Sequence, residues 1–159
     1  MTQLNGKKVL ILVSNGVEEA AMSVVQRDLL KEGATIKTIG TEPGLVNSWN
    51  GATNNWGLYF PVDIQINQAL GSDFDLLVVP GGSRSIAKLS ENPHAERIIG
   101  SFVAARKPVC MMDEAVQLLE GHDCTRVPLL TGAAKEDTQG FVDQMIAHFA
   151  GDAVTAIAA

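Results

Sequence analysis

Cysteine is nearly absent from this chain of 159 residues. Only Cys110 and Cys124 occur, too few for the disulfide framework of a small secreted domain. Histidine is equally scarce: His94, His122 and His148 are the three, and none has a spacing that demands catalysis. They do not complete the paired ligand sets of tetrahedral zinc, so neither a metal nor a cofactor is expected. Positive charge is in deficit, with 12 Lys and Arg against 18 Asp and Glu. The basic residues are scattered rather than striped, which argues against a nucleic-acid surface and against an anionic-membrane anchor. Long apolar runs are missing too. The N-terminal run Val9–Val13 is too short for a signal-peptide core, and nothing approaches a membrane span. A cytoplasmic location is the expectation.

What is present suits a buried core: 46% of the residues are hydrophobic. Five short apolar runs recur at 8–13, 34–40, 75–80, 108–112 and 127–131. Each is rich in Val, Ile or Leu without alternation, the pattern of strands buried on both faces. Helix-like stretches lie between them: Ala20–Lys31, stopped by Gly33; Pro93–Arg106; and Lys135–Ala150, where Phe141, Val142, Met145, Ile146 and Phe149 keep a 3.6-residue period. Strand and helix in alternation imply a mostly parallel five-stranded sheet with helices on both faces, a flavodoxin-like three-layer α/β sandwich. One domain over 1–159, with its core at about 5–150, is expected. The stretch 43–62, rich in Gly, Asn and aromatics, reads as an excursion, a hairpin turning at Asn50-Gly51. The tail 151–159 has small residues and reads as loosely held.

In open parallel sheets a site lies beyond the carboxyl ends of the strands. That rule selects the loops after Val13, Val79 and Met112. In KPVCMMDEAVQLL, residues 107–119, a buried-looking strand stops at two adjacent acids. Asp113 would stand on a sharp turn at a helix start, where free N–H groups favour an anion. Periodicity alone makes it an N-cap. Pro80-Gly81-Gly82-Ser83 ends the central strand, and its glycines would let backbone amides approach a ligand, with Ser83 and Arg84 beside them; it is equally a plain strand-to-helix turn. Glu18 and Glu19 suit a helix N-terminus. Trp49, Trp56, Tyr59 and Phe60 read either as an aromatic lid or as a loop core. His122, Asp123 and Cys124 invite a metal or redox reading, against which stands an ordinary exposed cysteine. Cys110 reads as a small core residue.

KPVCMMDEAVQLL resembles the nucleophile elbow of the DJ-1/PfpI (ThiJ/PfpI) superfamily, roughly K-P-[VI]-A-A-I-C-H-G-P-x-x-L, of the class I glutamine-amidotransferase-like fold. NGKKVLILVSNGVEEAAM resembles the first strand and acidic loop of that family. GLVNSWNGATNNWGLYFPVD resembles the Trp-Gly-x-x-Phe-Pro-Val-Asp excursion of its PfpI/YhbO-like branch. DFDLLVVPGG resembles its central strand, and VPLLTGAAKEDTQGFVDQMIAHF its last strand and helix. The resemblance covers nearly the whole chain in order.

That resemblance implies a changed site. Asp113 stands where the family has its nucleophilic cysteine, and Glu114 where the next residue is commonly His. Of the acidic-loop pattern E-x-x-E, Glu18 fills the first position and Ala21 the second. The family's extra strands after the elbow helix shrink to GHDCTR, so one wall of the site is expected to be missing. A carboxylate is a far weaker nucleophile towards carbonyls than a thiolate. Two contacting anions repel, and Ala21 removes that conflict for a permanently charged Asp113. Asp113 would resemble, in charge and shape, the sulfinate of an oxidised member. The resemblance thus points to a non-catalytic binding or regulatory module, with Gly81, Gly82, Ser83 and Arg84 as binding residues. It implies a homodimer or higher homo-oligomer, with a small-molecule or protein partner and neither nucleic acid nor membrane. The competing reading is a PfpI-type hydrolase (peptidase, amidase or deglycase) using Asp113, Glu114 and Glu18, or a Cys124-dependent redox protein.

Overall fold

A computed structural model of the chain describes residues 4–134 and 137–150. The five apolar runs form strands β1 (Lys8–Val13), β2 (Thr35–Gly40), β6 (Leu76–Val79), β7 (Val109–Met112) and β8 (Leu129–Gly132). Their pairing is parallel throughout, in the order β5-β2-β1-β6-β7-β8. The sheet therefore has six strands rather than the expected five. The extra one, β5 (Ile64–Gln65), is two residues long and pairs with β2 through Ile39 and Gly40. A strand that short has no apolar run to betray it. Asp63 makes it possible by bracketing Thr38, accepting from its amide at 2.7 Å and donating to its carbonyl at 2.8 Å.

Residues on β1, β6 and β7 alternate between two apolar clusters because successive side chains of a strand face opposite ways. Val9, Ile11, Val13, Val78, Cys110 and Met112 pack on one face against α1 (Glu19–Lys31) and α4 (Thr138–Phe149). Leu10, Leu12, Leu77, Val79 and Met111 pack on the other, against α2 (Ser83–Ser90) and α3 (Pro93–Ala104). Both faces being covered is the reason these strands lack polar alternation. Helix α1 stops at Lys31, just before the left-handed Gly33, φ 88°, and α3 opens on an Asn92 cap followed by Pro93. The sequence-derived start of the last helix at Lys135, and the tail 151–159, lie outside the described residues.

The excursion is a hairpin. Strands β3 (Leu45–Asn50) and β4 (Asn55–Pro61) pair antiparallel with a register shift between Asn47 and Trp49. Asn50 Oδ1 accepts from the amides of Ala52 and Thr53 at 2.9 and 3.2 Å, so the turn begins at the expected Asn50-Gly51. The hairpin stays outside the main sheet but does not hang free. Strand β3 docks on the loop after β1, with Gly16 N donating to Asn47 O and Trp49 N to Val17 O, both at 2.8 Å.

Candidate functional site

The strand order reverses at β1: the next strand, β2, lies on one side of it and β6 on the other. At such a switch point the two loops leaving the carboxyl ends diverge and leave a crevice. The loop 14–18 after β1, the Gly81-Gly82 turn after β6, Asp113 after β7 and the segment after β8 all meet there.

Asp113 is the strained residue of the group. Its φ is 51°, a left-handed conformation held by three non-glycine residues among those described. Such a backbone costs on the order of 1 kcal/mol, and Asp tolerates it better than most side chains. Met112 is still extended at φ −96°, ψ 134°, so the chain turns sharply from strand into the 3-10 helix Asp113–Leu119. Strand, left-handed residue, helix is the geometry of a nucleophile elbow. Ala115 and Leu118 of that short helix enter the core and hold it down.

The side chain of Asp113 does not cap this helix. The residue before the helix is Met112, which makes no side-chain cap bond, and Asp113 Oδ1 instead accepts from Ala134 N at 3.0 Å. The N-cap reading fails because the left-handed backbone turns the side chain away from its own helix and towards the segment after β8. Oδ2 is buried without a hydrogen-bond partner among the described residues. It points towards Gly81, 3.1 Å from where a Cβ on that glycine would lie.

Glu114 crosses to the other loop. Its Oε1 accepts from Gly82 N at 2.5 Å, a short charge-assisted bond. Both positions are tightly packed, and Gly82 is the one that the backbone confines to glycine. A Cβ on Gly81 would lie 2.6 Å from Glu114 Oε1, and one on Gly82 would run into the carbonyl oxygen of Gly16. Gly82 also has φ 123°, where only glycine is comfortable. The β1 and β6 loops are joined by Glu18 N donating to Gly81 O at 2.9 Å.

Glu18 lies apart from this pair. With Trp49, Gly82, Ser83 and Arg84 it lines a cleft of about 460 Å³ between the Gly-Gly turn and the hairpin. Its carboxylate approaches Gly51, 3.3 Å from where a Cβ would be. The binding residues foreseen from sequence therefore do gather, with Gly81 and Gly82 buried behind and Ser83 and Arg84 exposed in front. Asp113 and Glu114 stand behind that cleft wall rather than in it.

Two roles escaped the sequence. Glu19 is a clamp, not a helix decoration. It accepts from Leu58 N at 2.6 Å, Asn50 Nδ2 at 2.9 Å and Ser48 Oγ at 3.4 Å, tying the hairpin to α1. Arg84 stacks its guanidinium 3.8 Å above the Trp49 ring, and Trp56 meets Trp49 edge-on at 5.4 Å. Neither the clamp nor the Arg84–Trp49 stack has a sequence signal, since each joins segments roughly thirty or more residues apart. Of the supposed aromatic lid, Phe60 belongs to the core, while Trp56 and Tyr59 are exposed.

The GHDC segment does not assemble into a site. Asp123 Oδ1 is taken up by the amide and hydroxyl of Thr125, and His122 lines a separate cavity of about 240 Å³ with Glu96 and Gln117. Partial burial and the neighbouring Asp123 carboxylate push the Cys124 thiol up, away from thiolate. Cys110 is fully buried in β7, and burial raises its thiol well beyond reach.

Comparison with known proteins agrees with the geometry. The DJ-1/PfpI family model matches residues 7–158, so the chain belongs to the DJ-1/PfpI family. Among solved structures it is similar to oxidised Toxoplasma gondii DJ-1, at 16% identity and TM-score 0.75, covering 96% of each chain. Drosophila melanogaster DJ-1beta gives the same identity and TM-score over 96% of this chain and 95% of that one. A cysteine-to-alanine mutant of a DJ-1 superfamily protein from Salmonella typhimurium matches at 23% identity and TM-score 0.71, covering 92% of each. These likenesses fix the fold. No curated protein matches the chain significantly. No helix of the described residues is long and apolar enough to cross a membrane.

Proposed function

We propose that this chain is a DJ-1/PfpI-family protein whose elbow carries Asp113 in place of the nucleophilic cysteine, and that it works as a non-catalytic binding or regulatory module. One observation carries the reading: in the glycine turn, where by family resemblance an amide helps form the oxyanion hole, the Gly82 amide is already occupied by the Glu114 carboxylate at 2.5 Å. Acyl-transfer chemistry needs such donors free for the charge developing in the transition state. Here a fixed anion stands in that place. Asp113 is likewise engaged, through Oδ1, with Ala134 N. Ala21, at the position of the family's second acid, is buried within the apolar cluster that includes Met112 and Ala134. By that resemblance, a carboxylate at the elbow with alanine at the position of the second acid is a permanent counterpart of an oxidised cysteine whose acid partner has been removed. A Cys124-dependent redox role is disfavoured by the raised thiol.

The hydrolase alternative rests on one feature, the unpartnered Oδ2 of Asp113 on a strained backbone. Turnover of peptide, ester, glyoxal and glycated-amine substrates by wild type and Asp113→Asn decides between the two. Wild type at the no-enzyme blank is the expected result. Robust turnover that Asp113→Asn abolishes would overturn the proposal.

Homo-oligomerisation is proposed through the hairpin, whose Leu45, Leu58 and Tyr59 are all exposed. Light scattering on wild type and Leu58→Glu is the test, with a lower mass expected for the variant.

A further inference from the structure

The geometry points to a ligand site on the far side of Arg84: a cleft that takes a small hydroxylated anion, a sugar acid or sugar phosphate. This names the ligand class of the binding module proposed above and rests on that reading. The cleft, about 530 Å³, is lined by Asn15, Asn47, Trp56, Arg84, Ala87 and Lys88. That size suits a molecule of one sugar ring with a charged substituent.

Charge comes first. Arg84 and Lys88 stand four residues apart on α2 and so present both cations on one side of the helix. Among the described residues no acid lines this cleft, in a chain whose formal net charge is −6. A local pair of cations in an acidic protein selects anions at this spot. Arg84 is also fixed in place. Its guanidinium is stacked on Trp49, and its Cβ fills the space that a side chain on Gly16 would need. A pre-stacked guanidinium loses little freedom when it meets a carboxylate or phosphate.

The remaining wall is made for a polar body with an apolar face. Trp56 is 45% exposed and its ring is braced edge-on by Trp49, so a flat apolar surface is held open. The C–H face of a pyranose or of a polyol chain fits against such a ring. Two amides complete the lining. Asn15 Oδ1 holds the backbone of Asn47 at 2.9 Å and thereby fixes the loop after β1 against the hairpin. Asn47 Oδ1 has no partner among the described residues. A turn of that amide about its last bond offers an acceptor to a ligand hydroxyl. Two cations, one indole and two amides together favour a hydroxylated anion over an apolar acid or a neutral sugar.

The test is a titration of the 15N-labelled full chain with gluconate and with glucose 6-phosphate, using glucose as neutral control. Saturable shifts at the amides of Asn15, Asn47 and Lys88, with quenching of Trp fluorescence that Trp56→Leu removes, are expected from at least one charged probe and not from glucose. Lys88→Gln, an exposed change, and Arg84→Gln are each expected to weaken binding by about tenfold, the loss of one charge-assisted contact. The proposal is overturned by the absence of saturable shifts with both charged probes. It is equally overturned by shifts that map elsewhere, that glucose reproduces, or that neither charge variant alters. Binding is read here without any activity, so turnover appearing in a catalytic assay would sink the non-catalytic reading and leave this site standing.

Discussion

Glu114 Oε1 lies 2.5 Å from the amide nitrogen of Gly82, so the residue after the elbow closes the amide end of the glycine turn across from it. The bond joins two loops 32 residues apart in sequence and is partly screened from water. Removing the carboxylate leaves a donor facing empty space. Glu114→Ala is expected to cost about 1–3 kcal/mol, the range for leaving a screened donor without its acceptor. Glu114→Gln, which keeps an acceptor, should recover part of it. Urea unfolding of the three proteins measures this, and equal midpoints would show that the contact contributes nothing.

Gly82 and Gly57 should respond differently to alanine. At Gly82 the added Cβ meets backbone, the Gly16 carbonyl oxygen, and φ is 123°. Neither can relax cheaply, and a loss of roughly 3 kcal/mol or more is expected. At Gly57 the Cβ runs into Glu19 Oε1, the far end of a flexible side chain. Glu19 can swing aside, but only by releasing the Leu58 and Asn50 bonds that hold the hairpin. Gly57→Ala should therefore leave global stability nearly intact while amide exchange in β3 and β4 rises. Protection factors in the hairpin unchanged from wild type would contradict the clamp.

Asp113→Asn keeps an oxygen for Ala134 N but sets an NH₂ group against the Gly81 wall. A loss of about 1–2 kcal/mol is expected from the weakened neutral bond and an unmatched buried donor, a fall in Tm of some degrees for a chain of this size. Asp113→Cys should lose a similar amount, since sulfur is a poor acceptor for the Ala134 amide. If neither substitution lowers Tm, the elbow carboxylate is not a favourable buried anion.

Asp28 joins α1 to α4 and gives the fold an acid-sensitive component. Burial raises its carboxyl, but hydrogen bonds from Arg27 and Gln139, with the charges of Arg27 and Lys31, outweigh it and leave the group below its ordinary 3.8. A carboxyl depressed in the folded state stabilises the fold at pH above its unfolded value. That contribution fades as pH falls through 3.8 towards the lower folded value. Asp28→Asn should be less stable than wild type at pH 6, with the difference shrinking at pH values below 3.8. A constant difference from neutral to acid would refute the linkage.

Both thiols should be sluggish at neutral pH. Cys110 is sealed in the sheet, and Cys124 is held up by partial burial and by Asp123. Iodoacetamide labelling read by mass spectrometry should mark Cys124 slowly, faster as pH rises, and Cys110 only on unfolding. Rapid neutral labelling of Cys124 would revive the redox alternative.

Much of the fold was written locally. Runs such as KVLILV and DLLVVP carry no polar alternation because both of their faces are covered, and that signal needs no partner to be read. Gly33 and Asn92-Pro93 mark helix ends by the backbone geometry they permit. β5 escaped because two residues cannot form a pattern, and its strand character comes only from lying beside Ile39 and Gly40. The site was half legible. Spacing alone puts Asp113 at a strand-to-helix turn, but its partner depends on backbone geometry that spacing does not carry: a left-handed φ sends the side chain to Ala134 rather than to its own helix.

By itself the sequence determined the alternation of buried strands and amphipathic helices, the hairpin at Asn50-Gly51, and the acids and glycines at the carboxyl ends of β6 and β7. Each is a matter of neighbours along the chain, fixed by periodicity and by the φ a residue tolerates. Only the tertiary structure decided that Glu114 occupies the Gly82 amide, that Glu19 fastens the hairpin, and that Arg84 is pinned between two clefts by Trp49. Those are contacts between loops brought together by parallel crossovers, and side-chain direction across such a gap depends on the packing of every strand between them.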